Sequence, residues 1–214
     1  MRINMKITYL GHASFLLETA AGTRIVTDPY AQDILPHPVV EADVVTMSHE
    51  HGDHCDLKEV KGDFVAVNTT EAREIKGVKL TCVPCSHDDV QGKKRGHNRA
   101  YVFEADGLKV VHLGDLGEAP TPALIDACAG ADVVLIPVGG TYTLTGEAAA
   151  AAVKVLRPRL AVPMHYRCAG HSFAVISDEA PFLAALDKDV PVHRLDELVE
   201  PFPTGVALLM PAKE

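Results

Sequence analysis

No stretch of this sequence approaches the roughly 18 consecutive apolar residues that a membrane-spanning helix needs, which argues against a helical membrane protein. No Gly/Ser/Pro-rich linker or block of like charge divides it, and no segment recurs at a fixed period. The 214 residues therefore read as one domain, 1–214, 47% hydrophobic and long enough for a sizeable core. Basic charge is also lacking: the formal net charge is −9 and the nearest basic cluster is Lys93, Lys94 and Arg95, so nucleic acid is disfavoured as a partner. Met1 to Leu10 lacks the apolar stretch and small-residue cleavage site of a secretory leader, and a cytoplasmic location is the default expectation. Five cysteines are an odd number in a chain that needs no staples, so reduced thiols are expected rather than a disulfide framework. What remains is a small-molecule substrate. Bound cations would add positive charge that the formal count omits, so an anionic substrate fits as well as a neutral one, and self-association is left open.

Apolar or alternating runs of β type begin at once, at Lys6–Leu10, Ser14–Glu18 and Arg24–Thr27, punctuated by Gly11 and Ala21-Gly22. Further strands are expected at Asp43–Met47, Phe64–Val67, Val78–Val83, Arg99–Glu104, Leu108–Leu113, Val133–Val138, Leu160–Pro163 and Val206–Met210. Helices are expected at Gly146–Leu156 behind the cap Thr145, at Pro122–Cys128 behind Thr121, and at Asp178–Leu186 behind Ser177, with a short helical turn at Asp56–Val60. Two sheets with helices outside would bury such strands on both faces; a simpler α/β sandwich fits the same pattern.

The densest chemical signal is Ser48-His49-Glu50-His51-Gly52-Asp53-His54, directly after an apolar run. On an extended segment His49 and His51 point the same way, so both can reach one cation. Gly52 permits a turn, past which Asp53 and His54 can face a second cation. A hard oxygen beside borderline nitrogens suits Zn²⁺, Mn²⁺ or Fe.

His-x-His-x-Asp-His after a strand resembles the signature of the metallo-β-lactamase superfamily, and the resemblance continues through Cys85-Ser86-His87, His112-Leu113-Gly114-Asp115 and Pro163-Met164-His165-Tyr166. It runs from about Tyr9-Leu10-Gly11-His12 to His165, and within the superfamily it looks closest to the ascorbate-6-phosphate lactonase-like group. The resemblance implies an α/β fold, a four-layer αββα sandwich of two mixed sheets with helices on the outer faces. It implies two divalent metal ions, Zn²⁺ first in expectation. His49, His51 and His87 would hold one ion, Asp53, His54 and His165 the other, and Asp115 would bridge them. A water between two cations becomes hydroxide near neutral pH and can attack an acyl carbon, with Asp53 and Asp115 as the catalytic carboxylates.

Around this set, Asp28 in Thr27-Asp28-Pro29 is a candidate for orienting a ligand histidine, against the plain reading of an Asp-Pro turn. His12, His97, Asn98, Thr141 and Tyr142 are candidates for the substrate pocket, and Arg99 or Arg167 would suit an anionic group. Cys82 and Cys128 read as apolar packing, while Cys55 and Cys85 adjoin ligand loops. His37, His112, His171 and His193 read as ordinary histidines, His112 alone lying near a ligand. The expected activity is hydrolysis of a small ester, lactone or related acyl bond. The alternatives are a phosphodiesterase, iron-dependent thiol oxidation, and a metal-binding protein without catalysis.

Overall fold

The computed structural model describes residues 5–212. The expectations for Met1–Leu10 and for the bounds 1–214 fall partly outside the described residues. The first part of the chain forms β1 (Lys6–Gly11), β2 (Ser14–Glu18), β3 (Arg24–Thr27), β4 (Val40–Glu41), β5 (Val44–Thr46), β6 (Val60–Lys61), β7 (Val65–Val67) and β8 (Arg73–Ile75). Then follow β9 (Val78–Ser86), β10 (His97–Ala105), β11 (Leu108–His112), α1 (Pro122–Cys128), β12 (Val133–Pro137), α2 (Gly146–Leu156) and β13 (Leu160–Met164). The last elements are α3 (Ala180–Ala185), β14 (Val192–Leu195), β15 (Glu197–Val199) and β16 (Gly205–Leu209).

Two mixed sheets result. One has the order β15-β1-β2-β3-β5-β7, antiparallel up to β3 and parallel from there to β7. The other has the order β14-β16-β13-β12-β11-β10-β9-β8, parallel from β14 to β11 and antiparallel beyond. Alternation along the strands sends Ile7, Tyr9, Phe15, Leu17 and Ile25 of the first sheet into one apolar core with Leu80, Tyr101, Phe103, Leu135 and Val162 of the second. The opposite face of the second sheet buries Val111, Val134, Ile136 and Ala161 against Leu124 and Cys128 of α1, Ala149, Ala152 and Leu156 of α2 and Phe182 of α3. The two sheets and their helices make the α/β sandwich the sequence pointed to. Its outer layers differ in kind, because all the helices among the described residues pack on the second sheet. The outer face of the first, with Leu10, Val26 and Val45, is covered by Ala42 and Val60 beside the β4–β6 pair, with Leu57 and Phe64 against it.

Several expectations change in detail. Asp56–Val60 is a turn leading into β6, because Asp56 uses its carboxylate to accept the N–H of Lys58. The third helix starts at Ala180, not Asp178: Asp178 Oδ1 accepts the Ala180 N–H, and Ser177 caps nothing. The short strands β8, β14 and β15 escaped notice because charged and apolar residues mix in Arg73–Ile75, Val192–Leu195 and Glu197–Val199 with little burial. All five cysteines are free, Cys128 being buried on the sheet-facing side of α1 and Cys82 half-buried at the core edge. No helix among the described residues is long and apolar enough to cross a membrane.

The small side chains Ala149, Ala150 and Ala152 let α2 lie close on the sheet, and Thr145 Oγ1 accepts the Ala148 N–H at 3.2 Å to begin it. Replacing Thr145 by Ala should therefore lower stability to chemical denaturation by about 1 kcal/mol, with Thr145→Ser avoiding most of that loss. An unchanged midpoint for Thr145→Ala would show that packing alone sets the start of the helix.

Candidate metal centre

Each group of candidate ligands follows the C-terminal end of a strand. His49 to His54 follow β5, His87 follows β9, Asp115 follows β11 and His165 follows β13. Strand pairing brings these ends to one edge of the sandwich. There Asp115 Oδ2 lies 3.2 Å from His54 Nε2, 3.2 Å from His87 Nε2, 3.3 Å from His165 Nε2 and 3.8 Å from His49 Nε2. Among the described residues the potential donor atoms form three groups: His49, His51 and His87; Asp53, His54 and His165 with His12; and Asp28 with His49 and His54, which joins the first two.

The hydrogen bonds behind the rings determine which nitrogen faces inward. Asp28 accepts the Ser48 N–H on Oδ1 at 2.7 Å, and on Oδ2 both the Ser48 hydroxyl at 2.5 Å and the His54 Nδ1–H at 2.9 Å. With its hydrogen committed to Asp28, Ser48 Oγ accepts the His49 Nδ1–H at 2.9 Å. One carboxylate thus fixes a ring of each group with a bare Nε2 pointing inward, the tautomer a metal requires. Burial alone would raise the Asp28 pKa, but His112, His54 and His49 hold it below the usual carboxylate value. Burial pushes the His49 ring down to about 3, helped by His54 and opposed by Asp115 and Asp28. Burial also disfavours charge on His54, yet Asp115 and Asp28 hold its pKa well above the ordinary value. This is a field that attracts a cation.

Five buried atoms at the centre, His49 Nε2, His54 Nε2, Asp115 Oδ1 and both ring nitrogens of His165, have no hydrogen-bond partner. Orphaned buried polar atoms cost roughly 1–3 kcal/mol each, a cost that coordination removes. Neutral imidazoles around a carboxylate therefore fit divalent metal, and no competing bond blocks the inward nitrogens.

His12 is fully buried in the β1–β2 turn. The Phe173 N–H donates to His171 Nδ1 at 3.1 Å, so His171 Nε2–H donates to His12 Nδ1 at 3.0 Å. His12 Nε2–H then donates to Asp53 Oδ2 at 3.3 Å. In this chain His12 acts on Asp53 and offers no lone pair to a cation, although it sits among the ligand atoms. Both rings are neutral: burial, with His165 beside it, brings His12 down to about 3 and His171 to about 4. His171, which reads from its neighbours as an ordinary histidine, belongs to the site through this contact across 159 positions.

The remaining candidates divide. Asn98 is buried beneath the site, accepting the Asp115 N–H at 3.0 Å and donating to Leu113 O at 2.8 Å. Gly114 makes this approach feasible, since a Cβ there, at φ +53°, would lie 2.3 Å from Asn98 Oδ1. Tyr142 lines a hollow of about 290 Å³ over His51, Asp53, His87 and Asp115. His97 is exposed at the start of β10 and does not line it, and Thr141 turns its hydroxyl to Val175 O. Arg99 is spent on Ser48 O and Glu50, and Arg167 on Ala174 O. Lys94, Arg95 and Phe173 line the hollow instead.

A family model for the beta-lactamase superfamily domain matches residues 6–165. The chain belongs to this superfamily. Among curated proteins, a UPF0173 metal-dependent hydrolase of Thermococcus onnurineus is 34% identical over 192 residues, which is 76% of this chain and 84% of the relative. One of Methanoculleus marisnigri is 35% identical, covering 76% of this chain and 81% of that protein. A crystal structure from Thermotoga maritima, assigned as a Zn-dependent hydrolase of the metallo-β-lactamase superfamily, superposes with a TM-score of 0.79 at 37% identity. That match covers 96% of this chain and 98% of the other. The present chain is accordingly a metal-dependent hydrolase of the UPF0173 family.

Within this hydrolase the Asp28 carboxylate has a testable task. Asp28→Asn cannot accept from the Ser48 N–H, the Ser48 hydroxyl and the His54 ring together as the native group does, and metal affinity measured by chelator competition should fall roughly 10–100-fold. An affinity equal to wild type would reduce Asp28 to a turn residue. Asp88 offers a pH test. Burial would raise its pKa, but the N–H groups of Arg95, Val90, Lys94 and Gly92 at 2.8–2.9 Å hold it down to about 2. A lowered pKa in the folded state contributes stability above the ordinary value of 3.8, lost as pH falls toward 2. The stability advantage of wild type over Asp88→Asn should be full at pH about 6 and vanish on acidification through that window. A pH-independent difference would contradict it.

Proposed function

We propose that this protein hydrolyses a small ester, lactone or related acyl bond with two divalent metal ions, Zn²⁺ fitting the donors and Mn²⁺ or Fe suiting them too. His49, His51 and His87 hold one ion, Asp53, His54 and His165 the other, and Asp115 is shared. The observation that carries this reading is the position of Asp115 Oδ2, ringed within 3.8 Å by imidazole nitrogens from both groups. A carboxylate so placed serves two cations at once.

Metal bound there supplies Lewis acidity, lowering the pKa of water toward neutrality and polarising a carbonyl oxygen. The chain's own residues do the rest. Asp53 is half-buried, faces the hollow and takes a proton at Oδ1 or orients the attacking water, while His12 Nε2–H holds Oδ2. Burial would raise its pKa, but His12 and His54 keep Asp53 well below the usual range, so it is ionised at neutral pH and fit to orient a water. Phe173 and Tyr142 narrow the access of bulk water to the hollow. Lactones enter this proposal through the sequence resemblance to the ascorbate-6-phosphate lactonase-like group alone, and a cytoplasmic site of action accords with the free thiols.

Elemental analysis of the purified protein should find two metal ions per chain, reduced in His51→Ala and Asp115→Ala. A screen of lactones, acyl esters and phosphodiesters should find turnover in the first two classes, with Asp53→Ala losing rate by about 10²–10⁴-fold while remaining folded. Full rate with full metal content in Asp115→Ala would sink the shared-carboxylate reading, and turnover confined to phosphodiesters would replace the acyl substrate.

A further inference from the structure

This inference rests on the hydrolytic reading above and concerns what the site selects. Two hollows open from the metal centre, and Asp53 and Phe173 line both. The larger, about 500 Å³, is bordered by Ile34 and Leu57 with the carboxylates Asp33 and Asp56. The smaller, about 290 Å³, has His87 and Asp115 in its lining together with Lys94 and Arg95. Wall charge therefore changes sign across Asp53: one side repels an anion and the other attracts it.

The two cations are held in place. Asp88 grips the backbone N–H groups of both Lys94 and Arg95 on Oδ2, each at 2.8 Å. The Arg95 guanidinium donates to Thr141 O at 2.9 Å and lies over the Tyr142 ring at 5.5 Å, and among the described residues no carboxylate pairs with it. Most of its donors therefore stay free for a ligand. Lys94 pairs with Asp89 at 3.0 Å, but both side chains are largely exposed, 58% and 75%, so the pair is weak and easily exchanged. A chain of net charge −9 thus sets Lys94 and Arg95 at the rim of its reactive hollow. Among the described residues these charges meet only the exposed Asp89 carboxylate, Thr141 O and the Tyr142 ring, so an anionic ligand can neutralise them.

We propose that the substrate is a small molecule bearing an anionic group, a carboxylate or phosphate, a few bonds from its scissile acyl group. Lys94 and Arg95 bind the anionic end in the smaller hollow, the electrophilic carbon lies by Asp53 and Asp115, and the apolar remainder rests against Phe173, Ile34 and Leu57.

The test uses the metal-loaded protein and two esters with one leaving group, para-nitrophenyl acetate and the mono-para-nitrophenyl ester of glutaric acid. The readout is the ratio of kcat/KM, anionic over neutral. Wild type should favour the anionic ester, and the ratio should fall about tenfold or more in Lys94→Ala/Arg95→Ala, as losing charge-assisted contacts implies. Lys94→Glu/Arg95→Glu should invert the ratio, and Arg95→Lys should keep most of it. A ratio that the double alanine variant leaves intact overturns the proposal, as does a wild-type ratio near one. If wild type turns over neither ester with its metal in place, the acyl reading falls instead, and calorimetric binding of glutarate decides the anion site by itself. Binding about tenfold weaker in the double alanine variant supports it. Equal binding means that metal alone holds the anion, and the site is withdrawn.

Discussion

The structure turns on one buried carboxylate. Asp115 stands among four inward-facing imidazole nitrogens, held well below the usual carboxylate range by His165 and His54 in spite of burial that would raise it. A lone charge in such a place would be costly, and the imidazoles around it are what keep the carboxylate ionised. The arrangement makes sense as half of a coordination polyhedron. Its demands propagate outward: Asn98 must lie beneath it to accept its N–H, Gly114 must leave room for Asn98, and β11 must end where it does.

The next ring of residues orients the ligands. Asp28 and Ser48 select the tautomers of His49 and His54, while the His171–His12 chain aims at Asp53. His112 ties the sheets together here, its Nε2 on Ala13 O and its Nδ1 accepting from Gly114. Three of the eight non-glycine residues with positive φ among those described lie here: His12, Asp28 and His165, between 40° and 53°, a region non-glycine residues avoid. Such strain persists only where surrounding contacts determine the conformation, and here the contacts are those that aim the ligands.

How much of this the sequence carried depends on chain distance. His49 to His54 stood out because alternation and one glycine decide their directions locally, whereas His87, Asp115 and His165 were reached only through the resemblance to the superfamily pattern. The sheets followed from the apolar runs. The edge strands β14 and β15 did not, since Arg194, Asp196 and Glu197 break the alternation. Arg99 looked like a pocket cation from its position beside Asn98, but the register of β10 turns it toward Ser48 and Glu50. Lys94 and Arg95 looked like an ordinary basic cluster, because only the Asp88 turn folds them over the centre. His171 and Phe173 reach the site from a loop beyond β13, with no local pattern to announce it.

Ligand residues come from both sheets, the β5 end of one and the β9, β11 and β13 ends of the other, and the His165 N–H donates to His12 O at 2.7 Å across the seam. The sandwich is therefore a gauge: coordination geometry at its edge registers how the two sheets are set against each other. Residues such as Phe15, Tyr101 and Leu135, which touch no ligand, fix that setting through the core between the sheets. The interior of the protein is in this sense mechanically continuous with its edge, and repacking it by a methyl group would be felt there as a change in the spacing of the candidate donors.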